Sequence, residues 1–107
     1  MAEKEYVIRL GERARKRHYH KTETGDVVGF MVQLEVETEN GVWKPVIRYD
    51  CAHNFAHCDR YNLKGEHDKQ EIALNYAESL DLADKDINEN WDVYQERFYK
   101  GIFHECS

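Results

Sequence analysis

The sequence predicts a single α+β domain over residues 1–107, with an antiparallel sheet of about four or five strands and two C-terminal helices packed on one face. Three observations lead there. Residues 27–37 alternate apolar with polar at a period of two, as a half-buried strand does. From residue 68 onward apolar side chains recur every three or four positions, the period of a helix. The length of 107 residues fits one ordinary domain.

Taken in order, residues 5–10 read as a strand. Residues 13–21 read as another, turning through Thr24-Gly25-Asp26, although neither parity gives this basic segment an apolar face. In the next strand Val28, Phe30, Val32, Leu34 and Val36 share one side, with Gln33, Glu35 and Glu37 on the other. Asn40-Gly41 then signals a two-residue type I′ hairpin, because both turn positions need positive φ. Counting outward from Glu39 opposite Val42 places Glu37 opposite Lys44, Leu34 opposite Ile47 and Val32 opposite Tyr49. That register adds Trp43, Ile47, Tyr49 and Cys51 to the apolar face, and it requires Pro45 to point away from a partner or sit at a bulge. Ile72, Tyr76, Leu80, Ala83 and Ile87 outline the first helix, with Asp68 and Glu71 as its capping pair. Asp86 and Glu89 repeat that signature, so Ile87, Trp91, Tyr94 and Phe98 outline a second helix that stops at Gly101. Asp81, Asp84, Asp92 and Glu96 fall on outer, solvated faces.

Composition excludes several classes. Val, Ile, Leu and Phe total 23 of 107 residues, enough for a core and against a disordered chain. The longest uncharged stretch, residues 27–34, is far short of the roughly 20 needed to cross a bilayer, so a soluble cytoplasmic protein without membrane contact is expected. Cys51, Cys58 and Cys106 form no CxxC pair and are expected as reduced thiols. The net charge of −6 resides in residues 66–107, which carry 4 Lys/Arg against 11 Asp/Glu. Residues 1–65 are nearly balanced. Within them Arg13, Arg15, Lys16, Arg17 and Lys21, with Tyr19 among them, form a basic run that could follow a phosphate backbone and stack on an unpaired base. The same run reads more readily as a solvated edge strand whose cations discourage aggregation, because an acidic protein gains little long-range steering toward a polyanion.

Residues 48–59, RYDCAHNFAHCD, concentrate the chemistry. If the chain turns over at His53-Asn54, then Arg48, Asp50, His57 and Asp59 share the polar face, Asp50 lies opposite His57 and Arg48 opposite Asp59, while Cys51 and Cys58 point to the core with Tyr49. His53 stands at the loop tip as a second imidazole. Tyr61 and Leu63 share the parity of His57, so the strand must end or bulge before them. Three readings follow. His53 and His57 could exchange protons in metal-independent RNA phosphodiester cleavage, with Asp50 orienting His57 and Arg48 stabilising phosphoryl charge. His53, His57 and Asp59, joined by Cys51, Cys58 or His67, could hold a transition metal. Or the four polar residues form a cross-strand ladder with a purely structural role. His18, His20, His67 and His104 read as surface histidines.

Arg48-Tyr49-Asp50, Ala52-His53 and then His57 resemble the R-Y-D-N-A-H-G signature with a following histidine of small TumE-like toxins from prokaryotic toxin–antitoxin pairs. The similarity covers about residues 46–80, with Cys51 in place of the asparagine and Asn54 in place of the glycine. The resemblance implies a compact α+β protein that acts on nucleic acid or translation and is held inactive by a protein antitoxin, and it nominates Arg48, Tyr49, Asp50, His53 and His57. The leading expectation is thus a toxin-like, RNA-acting protein without cofactor or metal. A non-enzymatic protein-binding or assembly module, and a small metal-binding protein, are the alternatives.

Overall fold

The computed structural model describes residues 1–51 and 54–101, with the backbone alone at Asn40. Six strands form one antiparallel meander in chain order: β1 (Ala2–Gly11), β2 (Ala14–Glu23), β3 (Asp26–Glu37), β4 (Trp43–Asp50), β5 (Ala56–Tyr61) and β6 (His67–Ile72). A single helix, α1 (Tyr76–Tyr99), crosses one face. The expected two helices and four or five strands are therefore corrected to one helix and six strands.

The physical reasons lie in two misread caps. Asp68 and Glu71 belong to β6, where Asp68 pairs with Arg60 and Glu71 with His57, so the apparent helical period at Ile72 and Tyr76 joins a strand to a helix. The helix is capped instead at Asn75, whose Oδ1 accepts from the Glu78 backbone N at 2.8 Å. Asp86 caps nothing. It sits mid-helix and buried, accepting from Tyr49 Oη at 2.6 Å, Tyr94 Oη at 2.5 Å and Asn90 Nδ2 at 2.9 Å. With no Gly or Pro before Gly101, the stripe Leu80, Ala83, Ile87, Tyr94 and Phe98 runs on unbroken. Gly101 then ends the helix at φ 77°, as its position suggested.

The hairpins show how turn chemistry sets register. Type I′ geometry occurs at Thr24-Gly25, with φ 48° and 85° and Glu23 opposite Asp26, and not at Asn40-Gly41. There the chain makes a three-residue turn, Glu39–Gly41, with Gly41 at φ 72°. The longer turn shifts register by one, so Glu37 lies opposite Trp43 and not Lys44. A bulge then restores it. Glu35 pairs with Pro45 and Leu34 with Ile47, leaving Val46 as the extra residue beside the proline that has no N–H to offer. Val32 stands opposite Tyr49, as expected.

The core lies between the helix and the middle of the sheet. Phe30, Val32, Leu34 and Val36 of β3, Val46, Ile47 and Tyr49 of β4, and Ala56 and Cys58 of β5 pack beneath Leu80, Ala83, Ile87, Tyr94 and Phe98. Cys51 is free, whereas Cys58 is disulfide-bonded, which corrects the expectation of reduced thiols at that position. Cys106 and His104 lie outside the described residues. No helix among the described residues is long and apolar enough to cross a membrane.

Gly11 marks the closest approach of the β1–β2 turn to the helix. A Cβ there would stand 2.6 Å from Trp91 Cη2. Gly11→Ala is expected to destabilise the fold by about 1–3 kcal/mol through overpacking, read as a lower urea midpoint at unchanged slope. Adding Trp91→Leu should recover part of the loss by removing the opposing ring.

Candidate functional site

The open face of the sheet, opposite the helix, carries a band of charge across β2 to β6. Antiparallel pairing brings partners to the same face, so Arg48 meets Asp59 and Asp50 meets His57 on this side, while Tyr49 pairs with Cys58 on the other. This is the register reached by placing the turn at His53-Asn54. His53 itself lies outside the described residues. Arg48 Nε donates to Asp50 Oδ2 at 2.9 Å, which leaves its two terminal nitrogens outside that bond. Asp50 Oδ1 is buried and accepts no hydrogen bond among the described residues. His57 and Asp59 are both buried. Asp59 Oδ1 is approached by His67 Nε2 at 3.2 Å and Lys69 Nζ at 3.8 Å from β6. β5 ends at Tyr61, which resolves its awkward parity: the ring stays on the open face and stacks on His67, 4.6 Å between centroids.

The basic run is divided by strand parity. Arg15 and Arg17 stand on the open face and both donate through Nε to Glu35, at 2.6 and 3.2 Å, with Gln33 adding a third bond at 2.6 Å. The Arg15 guanidinium also lies 4.1 Å from the Trp43 ring centre. Tyr19 and Lys21 follow on the same face, opposite Met31 and Gly29. Arg13, exposed beside the β1–β2 turn, places its Nε 3.9 Å from Glu37. Lys16 does not join them. It points under the helix, 3 % exposed, and donates to Asp84 Oδ1 at 3.0 Å and Asn88 Oδ1 at 2.9 Å. Lys16 is thus removed from any surface that could follow a polyanion.

The inner face of β2 was the feature least visible in the sequence. His18, expected at the surface, is buried at 2 % exposure, its Nδ1 3.2 Å from Asp84 Oδ1 and its Nε2 2.7 Å from His20 Nδ1. Tyr6 of β1 stacks on His18 at 4.5 Å. Asp84, read as part of a solvated helix face, is the acceptor for both Lys16 and His18. One signal could have found this site: Lys16, His18 and His20 at every second position match Asp84 and Asn88 four apart on the helix.

Two grooves lie off these clusters. One, of about 570 Å³, opens between Phe55, Ile72, Leu74 and Tyr76; the other, of about 480 Å³, is lined by Arg13, Thr38, Leu63 and Tyr99. Among the described residues no three His, Cys, Asp or Glu side chains are grouped to hold a metal.

In comparisons with known proteins, the family described as domain of unknown function (DUF7718) matches residues 1–104. No curated protein and no solved structure matches the chain.

Glu35 supplies a test of the open-face band. Burial alone would raise its pKa, but hydrogen bonds from Arg15, Arg17 and Gln33 outweigh that and hold it below the ordinary 4.5. A depressed carboxylate contributes stability that is present above the unfolded value and lost as pH falls through the folded one. Urea denaturation should find Glu35→Gln less stable than wild type by about 1–2 kcal/mol at pH 7, a figure kept small because both arginines are partly solvated. The gap should close as pH drops below about 4.5.

Proposed function

This chain belongs to the DUF7718 family, and we propose that it acts on RNA through an acid–base site at the β4–β5 hairpin. The observation that carries the reading is the cross-strand placement of Asp50 opposite His57, with Arg48 held on the same carboxylate. A carboxylate across from an imidazole, with an Oδ1 that accepts no other bond among the described residues, can orient the ring, and a guanidinium with terminal N–H groups to spare can meet a phosphate. The resemblance of Arg48-Tyr49-Asp50, Ala52-His53 and His57 to the TumE-like toxin motif supports the same assignment.

In this scheme one imidazole, His57 or His53, accepts the proton of a ribose 2′-hydroxyl. The 2′ oxygen attacks the adjacent phosphorus and the bond to the 5′ oxygen breaks. The second imidazole gives that oxygen a proton, leaving a 2′,3′-cyclic phosphate and a free 5′-hydroxyl. Arg48 stabilises the charge that grows on the phosphoryl oxygens. Arg15, Arg17, Tyr19 and Lys21 share the open face and would guide the strand toward the hairpin, while a protein antitoxin would cover it.

A second reading has its own support. Glu35 occupies both Arg15 and Arg17, and the chain carries a net charge of −6, which favours a face that recognises a protein over one that binds a polyanion.

Incubating the purified protein with mixed RNA in chelator decides between them. Cleavage to cyclic-phosphate ends is expected, slowed about 100-fold or more in His57→Ala and His53→Ala and also reduced in Arg48→Ala. No cleavage by wild type, or equal cleavage by all variants, would remove the catalytic claim. A stable protein complex that buries the hairpin without RNA cleavage would establish the binding module instead.

A further inference from the structure

Beneath the helix, independently of the RNA reading, three side chains form a continuous hydrogen-bonded line. Asp84 Oδ1 meets His18 Nδ1 at 3.2 Å, and His18 Nε2 meets His20 Nδ1 at 2.7 Å. The carboxylate can only accept, so His18 carries its proton on Nδ1 and its Nε2 is an acceptor. His20 must then donate from Nδ1, which leaves His20 Nε2 with its lone pair. That nitrogen ends the line. It has no hydrogen-bond partner among the described residues, and His20 is only half-buried.

The inner part of the line is built into the core. His18 is clamped between the stacked Tyr6 ring and Asp84, and Lys16 fixes the same Asp84 oxygen from below the helix. At the outer end Lys4 pairs across from His20 on the same face and is exposed. A carboxylate, a buried imidazole and an accessible imidazole in sequence can accept a proton and spread the resulting charge without rearrangement.

We infer that Asp84, His18 and His20 form a proton-transfer site, in which His20 Nε2 removes a proton from a hydroxyl group of a small anionic substrate whose charge is held by Lys4. The proton moves from the substrate oxygen to His20 Nε2. His20 becomes an imidazolium still donating through Nδ1 to His18, and Asp84 balances its charge through His18. Reversal of the same path returns the proton to substrate or water. His20 is the catalytic residue; His18 and Asp84 position it and set its basicity.

The charged and titratable neighbours agree with a neutral base. Burial lowers the pKa of His20 below 6.5, the neighbouring His18 and Lys4 lower it further, and Asp84 opposes them. Tyr6 is held above its ordinary value by burial and by Asp84, so its hydroxyl stays protonated. Lys16 shares the Asp84 carboxylate with His18.

Long-range nitrogen–proton NMR of the intact protein at pH 7 reads the tautomers without any variant. His18 and His20 should both carry their proton on Nδ1, with His20 Nε2 bare; a proton on His20 Nε2 would overturn the assignment. Hydrolysis of p-nitrophenyl acetate, a probe of reactive imidazoles, should fall at least about 10-fold in His20→Gln. Its pH midpoint should lie below 6.5 and drop further in Asp84→Asn, which removes the charge that favours the imidazolium. Inorganic phosphate should slow the wild type and lose that effect in Lys4→Ala. Equal hydrolysis by wild type and His20→Gln, a midpoint unmoved by Asp84→Asn, or phosphate inhibition unaffected by Lys4→Ala would each defeat the proposal. Each hydrolysis readout is a difference made at His20, Asp84 or Lys4 and no readout uses RNA, so the open-face reading stands or falls separately.

Discussion

One helix has to cover a sheet that is wider than itself. Strands spaced about 4.8 Å apart make a six-stranded sheet roughly 24 Å across, whereas a helix with its side chains is about 10–12 Å wide. α1 therefore packs over the centre, where β3 and β4 supply an almost wholly apolar inner face. The flanks are left to other chemistry. On the β2 side the gap is filled by Lys16, His18 and Asp84, which satisfy one another. On the β4 side the Tyr49 hydroxyl reaches Asp86, tying the sheet to the middle of the helix. β1 and β6, beyond the helix on either side, expose most of their residues.

That geometry explains why polar groups are buried in so small a protein. Burying an ammonium or a carboxylate costs several kcal/mol unless hydrogen bonds and opposite charge replace the lost water. Lys16 has two acceptors, and Asp86 has three donors but no cation bonded to it among the described residues. The hydroxyls of Tyr49 and Tyr94 are kept protonated by burial and by the adjacent carboxylate, so they remain donors at any physiological pH. Such pairs also specify register. Slipping β2 by one residue would turn Arg15 and Arg17 under the helix and carry Lys16 and His18 to the open face, so Glu35 would lose both guanidinium partners.

What the sequence disclosed follows from the same division. Alternation in β3 and the parity of residues 48–59 were legible, because an apolar side chain at every second place is a local signal. The register at Leu34 and Val32 was reached although the turn was wrong, since the longer loop at Glu39–Gly41 and the bulge at Val46 cancel. The inner face of β2 was illegible for the opposite reason. Ala14, Lys16, His18 and His20 look like the exposed side of an edge strand, and only a partner 66 or more residues away makes them interior. Asp68 and Asp86 failed as caps because a capping signature is four residues long, while the pairing of β6 and the tyrosine bonds of Asp86 are tertiary.

Strand parity also links the two polar clusters to the core between them. Each residue that packs under α1 forces its neighbours onto the open face, so Tyr49 and Cys58, seated beneath the helix, place Arg48, Asp50, His57 and Asp59 outward. Arg15 and Arg17 are set outward in the same way by Lys16, whose inward position is enforced by Asp84 and Asn88. The open-face chemistry therefore depends on bonds made on the far side of the sheet. Breaking the Lys16 pairing would loosen the β2 register before it touched any open-face group, and Glu35 would lose two guanidinium partners that it never shares with the helix.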